Sequence, residues 1–241
     1  MTRIFWMFQL SAAFFLLSCE SPLSDAEITD PGLIAPEVTV VKSRDYRTIV
    51  SYAYECIIRD KDGKFVVLKN GSVLLNKYAM NLTESLFDYK YYSLPGTTIP
   101  YSLGKPYIFT VRLANGSSYD AVVVTPVIDL SALAAPANVT PPEQMFLQWA
   151  GIDSNVVMHF ELKIYYRLNG EQSMTQRSID IPAPKAAKFY LTPEQYLSPV
   201  GTTYGVEVTL VAELEGTIDP RFGKNGKATA RQSVSKLVGV L

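Results

Sequence analysis

The sequence predicts an all-β chain of two tandem β-sandwiches behind a cleaved leader, and three observations carry that prediction. Apolar and aromatic residues alternate with period two in short segments, and turn residues interrupt them about every 8 to 15 positions. Tyrosine is abundant, at 15 of 241 residues, and Val and Thr are frequent, which is the composition of strands. An Ala- and Pro-rich stretch, residues 128–141, separates the alternating segments into two blocks, 37–127 and 142–241. At about 150 residues per domain the length allows one large domain or two small ones.

The leader comes first. Met1 to Arg3 carries one positive charge, Ile4 to Leu17 is an almost unbroken apolar run, and Ser18-Cys19 closes it. Fourteen positions are too few to cross a bilayer core of about 30 Å, which needs about 20 residues of helix, so the layout is that of a secretory signal. Leu16-Leu17-Ser18-Cys19 resembles the lipobox of bacterial lipoproteins, with Leu17 bulkier than the residue most often found there. The resemblance implies that residues 1–18 are a signal peptide, that Cys19 is the lipid attachment point, and that the membrane is a partner through this N-terminal lipid. It places the mature chain on an outer membrane, on the periplasmic side or at the cell surface. Each buried methylene contributes about 0.8 kcal/mol, so two or three acyl chains anchor stably where one does not. With Cys19 acylated, Cys56 is the sole thiol and no intramolecular disulfide can form. Residues 19–36 hold three prolines and the acids Glu20, Asp25, Glu27 and Asp30 without periodicity, and read as a flexible tether. Acids soon after the cysteine also resemble the surface-export signal of some Bacteroidota lipoproteins, so a plain solvated linker and an export signal both stand.

In the first block, Glu37–Val41 and Ile49–Ile58 alternate, and Asp60-Lys61-Asp62-Gly63 turns the chain into Lys64–Leu68, with Gly63 supplying a positive φ. That turn superficially matches the opening of a calcium loop, but its glycine comes too early and no glutamate follows at the required distance. Asn70-Gly71 precedes Ser72–Asn81, then come Phe87–Tyr92, Pro95-Gly96, and a hairpin of Tyr107–Leu113 and Tyr119–Val124 through Asn115-Gly116. About seven strands fit here, the count of an immunoglobulin-like sandwich. The sequons at Asn81, Asn115 and Asn138 are chance matches in a chain with a bacterial lipobox.

The second block contains Phe146-Leu147-Gln148-Trp149, then Phe160–Tyr166, Phe189-Tyr190-Leu191, and Gly201-Thr202-Thr203-Tyr204-Gly205-Val206-Glu207-Val208. This order resembles the fibronectin type III domain over roughly residues 141–241. The resemblance implies a second sandwich with Trp149, Leu162 and Tyr204 in its core, and it implies nothing about activity, because the fold carries many functions. Thr192-Pro193-Glu194-Gln195 has the residues of a capped helix start, so one helical turn is expected before the Tyr204 strand. Gly216–Gly226 is a glycine- and charge-rich loop, and Lys227–Val240 is a final strand region.

The charge balance, 22 basic against 23 acidic residues, provides no field for nucleic acid. Two cysteines and one histidine cannot form a four-ligand zinc site of those residues, and no cofactor motif is present. No catalytic residue is assigned. His159 falls opposite Met158, Phe160 and Leu162 on an exposed strand face beside Glu161. Cys56 shares the register of Tyr52 and Tyr54 as a buried, inert thiol. The carboxylates are scattered singly. In Tyr89-Lys90-Tyr91-Tyr92 alternation puts Tyr91 opposite Tyr92, so at least one tyrosine faces solvent, and Tyr89, Tyr91 and Tyr92 form the candidate binding surface. The function expected is that of a membrane-anchored, non-catalytic interaction or structural module of the cell envelope with a protein or glycan ligand. Its alternative is a glycan-binding surface lipoprotein linked to polysaccharide uptake, and a third reading is an enzyme of unrecognised type.

Overall fold

The computed structural model describes residues 20–85, 89–127, 133–150, 156–181 and 186–241, so the leader, Cys19 and residues 128–132 of the interblock stretch lie outside the described residues. The first block contributes β1 (Ala35–Arg44), β2 (Val50–Arg59), β3 (Ser72–Leu75), β4 (Tyr78–Ala79), β5 (Asn81–Glu84), β6 (Lys90–Leu94), β7 (Pro106–Arg112) and β8 (Ser118–Val124). The rest of the chain contributes β9 (Asn138–Val139), β10 (Met145–Gln148), β11 (Val157–Leu168), β12 (Glu171–Asp180), β13 (Lys188–Leu191), α1 (Pro193–Tyr196), β14 (Thr202–Glu215), β15 (Thr217–Ile218) and β16 (Lys227–Val240). The chain is all-β and builds two sandwich cores.

Both cores share one large sheet. Its order is β12-β11-β14-β16-β1-β2-β6-β5, with β9 against the end of β16. The sheet β15-β8-β7-β3-β4 covers the first core, where Val38, Tyr54 and Cys56 meet Val73, Phe109 and Val123. The pair β10-β13 covers the second core, where Phe160, Leu162 and Val208 meet Leu147 and Leu191. The period-two pattern is the cause: in β11, Met158, Phe160, Leu162 and Ile164 are buried while the residues between them are not.

One strand joins the two cores. The 14 residues of β16 span roughly 46 Å at about 3.3 Å per residue, enough to cross both. Its first half runs parallel to β1, from Glu37↔Lys227 to Arg44↔Val234, and puts Ala228 and Ala230 into the first core. Its second half puts Val234 and Val238 into the second. Between them Gln232 is buried, and its Nε2 donates to the carbonyl of Pro126 at 2.9 Å, where the chain leaves the first block. Phe222 packs in the first core, and β15 pairs with β8. Residues 215–230, which the sequence groups with the second block, thus complete the first in space.

Residues 20–34 do not hang free as a flexible tether. Ile28 and Ile34 are buried in the first core, the Ser21 amide donates to the Phe65 carbonyl at 2.7 Å, and the Ala114 amide donates to the Ile28 carbonyl at 3.1 Å. Pro22 and Pro31 open two short 3-10 turns, a position their fixed φ suits, so prolines that suggest a linker instead fold the segment onto the sandwich. Glu20 forms an ion pair with Lys90.

Several local readings hold. The Asn115-Gly116 hairpin joins β7 and β8 in the register Arg112↔Ser118 with Gly116 at φ 82°. Gly63 sits at φ 80° in a turn where the Asp60 amide donates to the Lys64 carbonyl, although Lys64–Leu68 makes only an isolated bridge at Phe65. Segment 72–81 is not one strand: Asn76 and Lys77 both take positive φ and turn β3 back into β4, as a type I′ hairpin requires. Phe87 and Asp88 lie outside the described residues.

In the second core Trp149 and Leu162 are buried, at 4% and 1% exposure, but Tyr204 is not a core residue. The register slips between Tyr165, opposite Gly205, and Tyr166, opposite Thr203, which leaves Tyr204 as the extra residue of a bulge. The bulge turns Tyr204 outward to 38% exposure, whereas plain alternation would carry it inward. Tyr196 of α1 supplies the buried tyrosine instead, with its hydroxyl donating to the Glu143 carbonyl at 2.6 Å. The helix starts as expected, with the Thr192 amide donating to Gln195 Oε1 at 2.9 Å.

Candidate binding surface

The predicted tyrosine surface divides. Tyr92 is corrected to a core residue: β6 pairs Cys56↔Tyr92, both side chains face inward, and the Tyr92 hydroxyl accepts from the Leu68 amide at 2.8 Å. Burial pushes its pKa up to about 12. Tyr89 and Tyr91 lie half-buried on the outer face with ring centroids 5.5 Å apart, and Tyr89 meets Phe65 edge-on at 4.9 Å. The Arg59 guanidinium stacks over Phe65 at 4.5 Å while its Nε bonds Glu37 at 3.1 Å. Here the rings are largely occupied by one another.

The other singled-out residues are settled by their surroundings. Cys56 is fully buried and burial drives its thiol pKa upward, so the thiolate is disfavoured and the group is inert. His159 does face away from the second core, but its side chain is only 16% exposed, with Nε2 3.4 Å from Glu161 Oε1. Arg231 Nη2 donates to the same oxygen at 2.8 Å. Burial would raise the Glu161 pKa, and Arg231 with His159 outweighs it, leaving the carboxyl below its ordinary value. This is a cross-strand ion network without an open reacting atom. Among the described residues no three His, Cys, Asp or Glu side chains converge as a metal site.

A second aromatic cluster, which sequence reasoning missed, forms a cleft of about 480 Å³ on the outer face of the shared sheet. Three tyrosines from three segments surround it: Tyr46 from the β1–β2 turn, Tyr165 from β11 and Tyr204 from the β14 bulge. The turn is fixed by the Asp45 amide donating to the Ile49 carbonyl and the Ile49 amide donating to Asp45 Oδ1 at 2.8 Å. Leu237, 49% exposed, closes one side. Gly205 and Gly239 stand opposite each other in the β14–β16 register and make a floor without side chains. A Cβ at Gly239 would lie 2.3 Å from Asn138 Oδ1, so that side chain would have to move aside. At Gly205 a Cβ would meet only the Val238 carbonyl at 3.7 Å, and no positive φ demands glycine. What its hydrogen does is keep the cleft open.

Polar groups frame the rings. The Tyr165 hydroxyl donates to Glu207 Oε2 at 3.1 Å, and Lys163 Nζ is 3.6 Å from the same oxygen. Burial and the neighbouring Glu207 both raise the Tyr165 pKa, which keeps the phenol neutral. The Arg167 guanidinium lies 5.5 Å from the Tyr204 ring centre, and that of Arg47 lies 5.5 Å from the ring of Tyr46. Three tyrosine rings, Leu237 and bare glycine backbone therefore line one depression of the size range of small-ligand sites, and the charged groups contact the rings from outside that lining.

The fold these elements define is that of paired immunoglobulin- and fibronectin-like sandwiches, a class that hosts many unrelated functions. No family model matches the chain, and no curated protein matches its sequence. Among solved structures, the FN1–FN3 domains of chicken CNTN1 align at 10% identity and a TM-score of 0.25, covering 85% of this chain and 65% of that one. Yersinia pseudotuberculosis InvD aligns at 13% identity and 0.22, covering 87% and 70%, and InvE of the same organism at 15% and 0.20, covering 83% and 58%. The chain thus spans about two thirds or less of the CNTN1 and InvE fragments. At these scores the superpositions are loose, and the fold assignment stands on the strand pairing itself.

Proposed function

We propose that the chain is a membrane-anchored, non-catalytic binding module of a bacterial cell envelope, held by lipid on Cys19 and recognising its ligand at the Tyr46–Tyr165–Tyr204 cleft. The observation that carries the reading is that cleft: three aromatic rings set by rigid strands and a tied turn, around a floor that the fold leaves bare at Gly205 without needing to. Rings held this way give contact area at little entropic cost, as recognition surfaces require. The lipobox resemblance of Leu16–Cys19 supports the anchor. Because residues 20–34 are docked on the first sandwich, an anchor at Cys19 would hold the body close to the membrane instead of on a long leash. Metabolic labelling with palmitate tests the anchor: label enters the wild type and is lost in Cys19→Ser. Equal labelling of the two would remove the anchor from the proposal.

A further inference from the structure

We infer that the ligand of the Tyr46–Tyr165–Tyr204 cleft is a carbohydrate. This rests on reading the chain as a binding module, and it does not depend on the lipid at Cys19.

The chemistry of the cleft selects among ligand classes. A sugar ring offers an apolar face of C–H groups and a rim of hydroxyls, so it asks for an aromatic surface flanked by both donors and acceptors. The cleft has both. Tyr165 and Tyr204, with centroids 6.4 Å apart and planes at 35°, form a tilted wall, and Tyr46 stands on the other strand connection. Glu207 is 7% exposed, and its Oε2 is already fixed by Tyr165 and Lys163, so the carboxylate is oriented before a ligand arrives. Held by that charged acceptor, the Tyr165 ring is fixed as a stacking surface, and its hydroxyl oxygen keeps its lone pairs for a sugar hydroxyl donor.

Two other classes fit less well. A cage of three tyrosines also suits a quaternary ammonium. Here, however, Arg47 and Arg167 already lie against Tyr46 and Tyr204, and a third cation would meet two others. A peptide added as a β-strand would need free backbone groups on a sheet edge. The cleft floor is formed where β14 and β16 are paired with each other, Gly205↔Gly239, so its backbone is engaged across the sheet. Gly205 completes the argument: a flat ring must approach the floor closely, and glycine is the residue that permits it.

Affinity electrophoresis of the folded chain from Glu20 onward, in native gels cast with amylopectin, galactomannan or xylan, tests this. The expected result is retardation of the wild type by at least one polysaccharide. Tyr204→Ala and Gly205→Val each weaken it roughly tenfold, as loss of one stacked ring or a filled floor implies, and Tyr91→Ala leaves it unchanged. Tyr204 is 38% exposed, so Tyr204→Ala keeps the test sound even if Gly205→Val misfolds by circular dichroism. No retardation in any gel overturns the inference and transfers the cleft to a protein ligand, with the palmitate result on Cys19 standing or falling separately. Retardation lost in Tyr91→Ala but kept in both cleft variants overturns it as well, and moves the sugar to the Phe65–Tyr89–Tyr91 face.

Discussion

At the scale of single residues, the loop that returns to the first core is governed by one ion pair. Arg221 donates to Asp219 twice, through Nε at 2.9 Å and Nη2 at 2.7 Å, and its amide adds a third bond at 3.0 Å. Those bonds, Arg221's side chain first, hold the Asp219 pKa down to about 2. The same guanidinium lies 4.5 Å from the Tyr119 ring, and Phe222 packs edge-on against that ring, so the pair fixes the approach of Phe222 to the core. A carboxylate whose pKa falls on folding stabilises the native state above its unfolded value of about 3.9, and that contribution is lost as pH drops toward 2. Asp219→Asn is therefore expected to be less stable than wild type near neutral pH, with the two urea midpoints converging between about pH 4 and pH 2. A gap that stays constant through that window would show that the pair does not contribute through charge.

At the scale of elements, the decisive strand is β16. A fragment of residues 20–127 lacks β15, Phe222 and the first half of β16, so β1 would become an open edge and Val38, Val40 and Ala121 would lose neighbours that cover them. Such a fragment is expected to give a poorly dispersed amide NMR spectrum while residues 20–241 give a dispersed one; a sharp spectrum from the fragment would show the first core to be self-sufficient. The alternation of β7, β8, β11 and β16, the Asn115-Gly116 hairpin and the Thr192 helix start were all legible in the sequence, because each is written in neighbouring residues. The assignment of β16 to both cores was not, since its Ala228 and Val238 look alike in sequence and only the partner strand distinguishes them. The binding cleft was hidden for a related reason. Tyr46, Tyr165 and Tyr204 come from three separate segments, and alternation places Tyr204 inside until the bulge turns it out. The available signal was glycine within strand patterns, at Gly205 and Gly239, where close approach of a backbone or a ligand is a standing explanation. Tyr91 and Tyr92 have the alternation the sequence predicts, with Tyr92 inside and Tyr91 outside, but Phe65 covers part of the outer face beside Tyr89 from a segment without regular strand.

At the scale of the whole molecule, two cores on one sheet raise the question of whether they unfold together. Among the described residues, the connections that cross between them include β16 itself, the Gln232 bond to Pro126, and the parallel β1–β16 pairing that continues to Val234, a residue of the second core. A buried amide such as Gln232 would lose its partner if either side opened, at a cost of about 1–3 kcal/mol. With the leader removed, Trp149 is the only tryptophan, and it lies in the second core, so its fluorescence reports that core alone. Phe109 is fully buried in the first core, and Phe109→Ala should cost about 3–5 kcal/mol there. If the cores fold as one unit, the Trp149 transition in urea shifts to lower concentration by on the order of 1–2 M, together with the far-ultraviolet circular dichroism signal. An unmoved Trp149 midpoint beside a shifted dichroism curve would mean that the second core folds by itself. The shared strand argues for the first result: removing the first core strips β16 of β1 along eight register pairs, leaving only β14 to hold that stretch. Ala230, Gln232 and Val234 follow one another along the same face of that strand, so on that face only Gln232 separates the first core from the second.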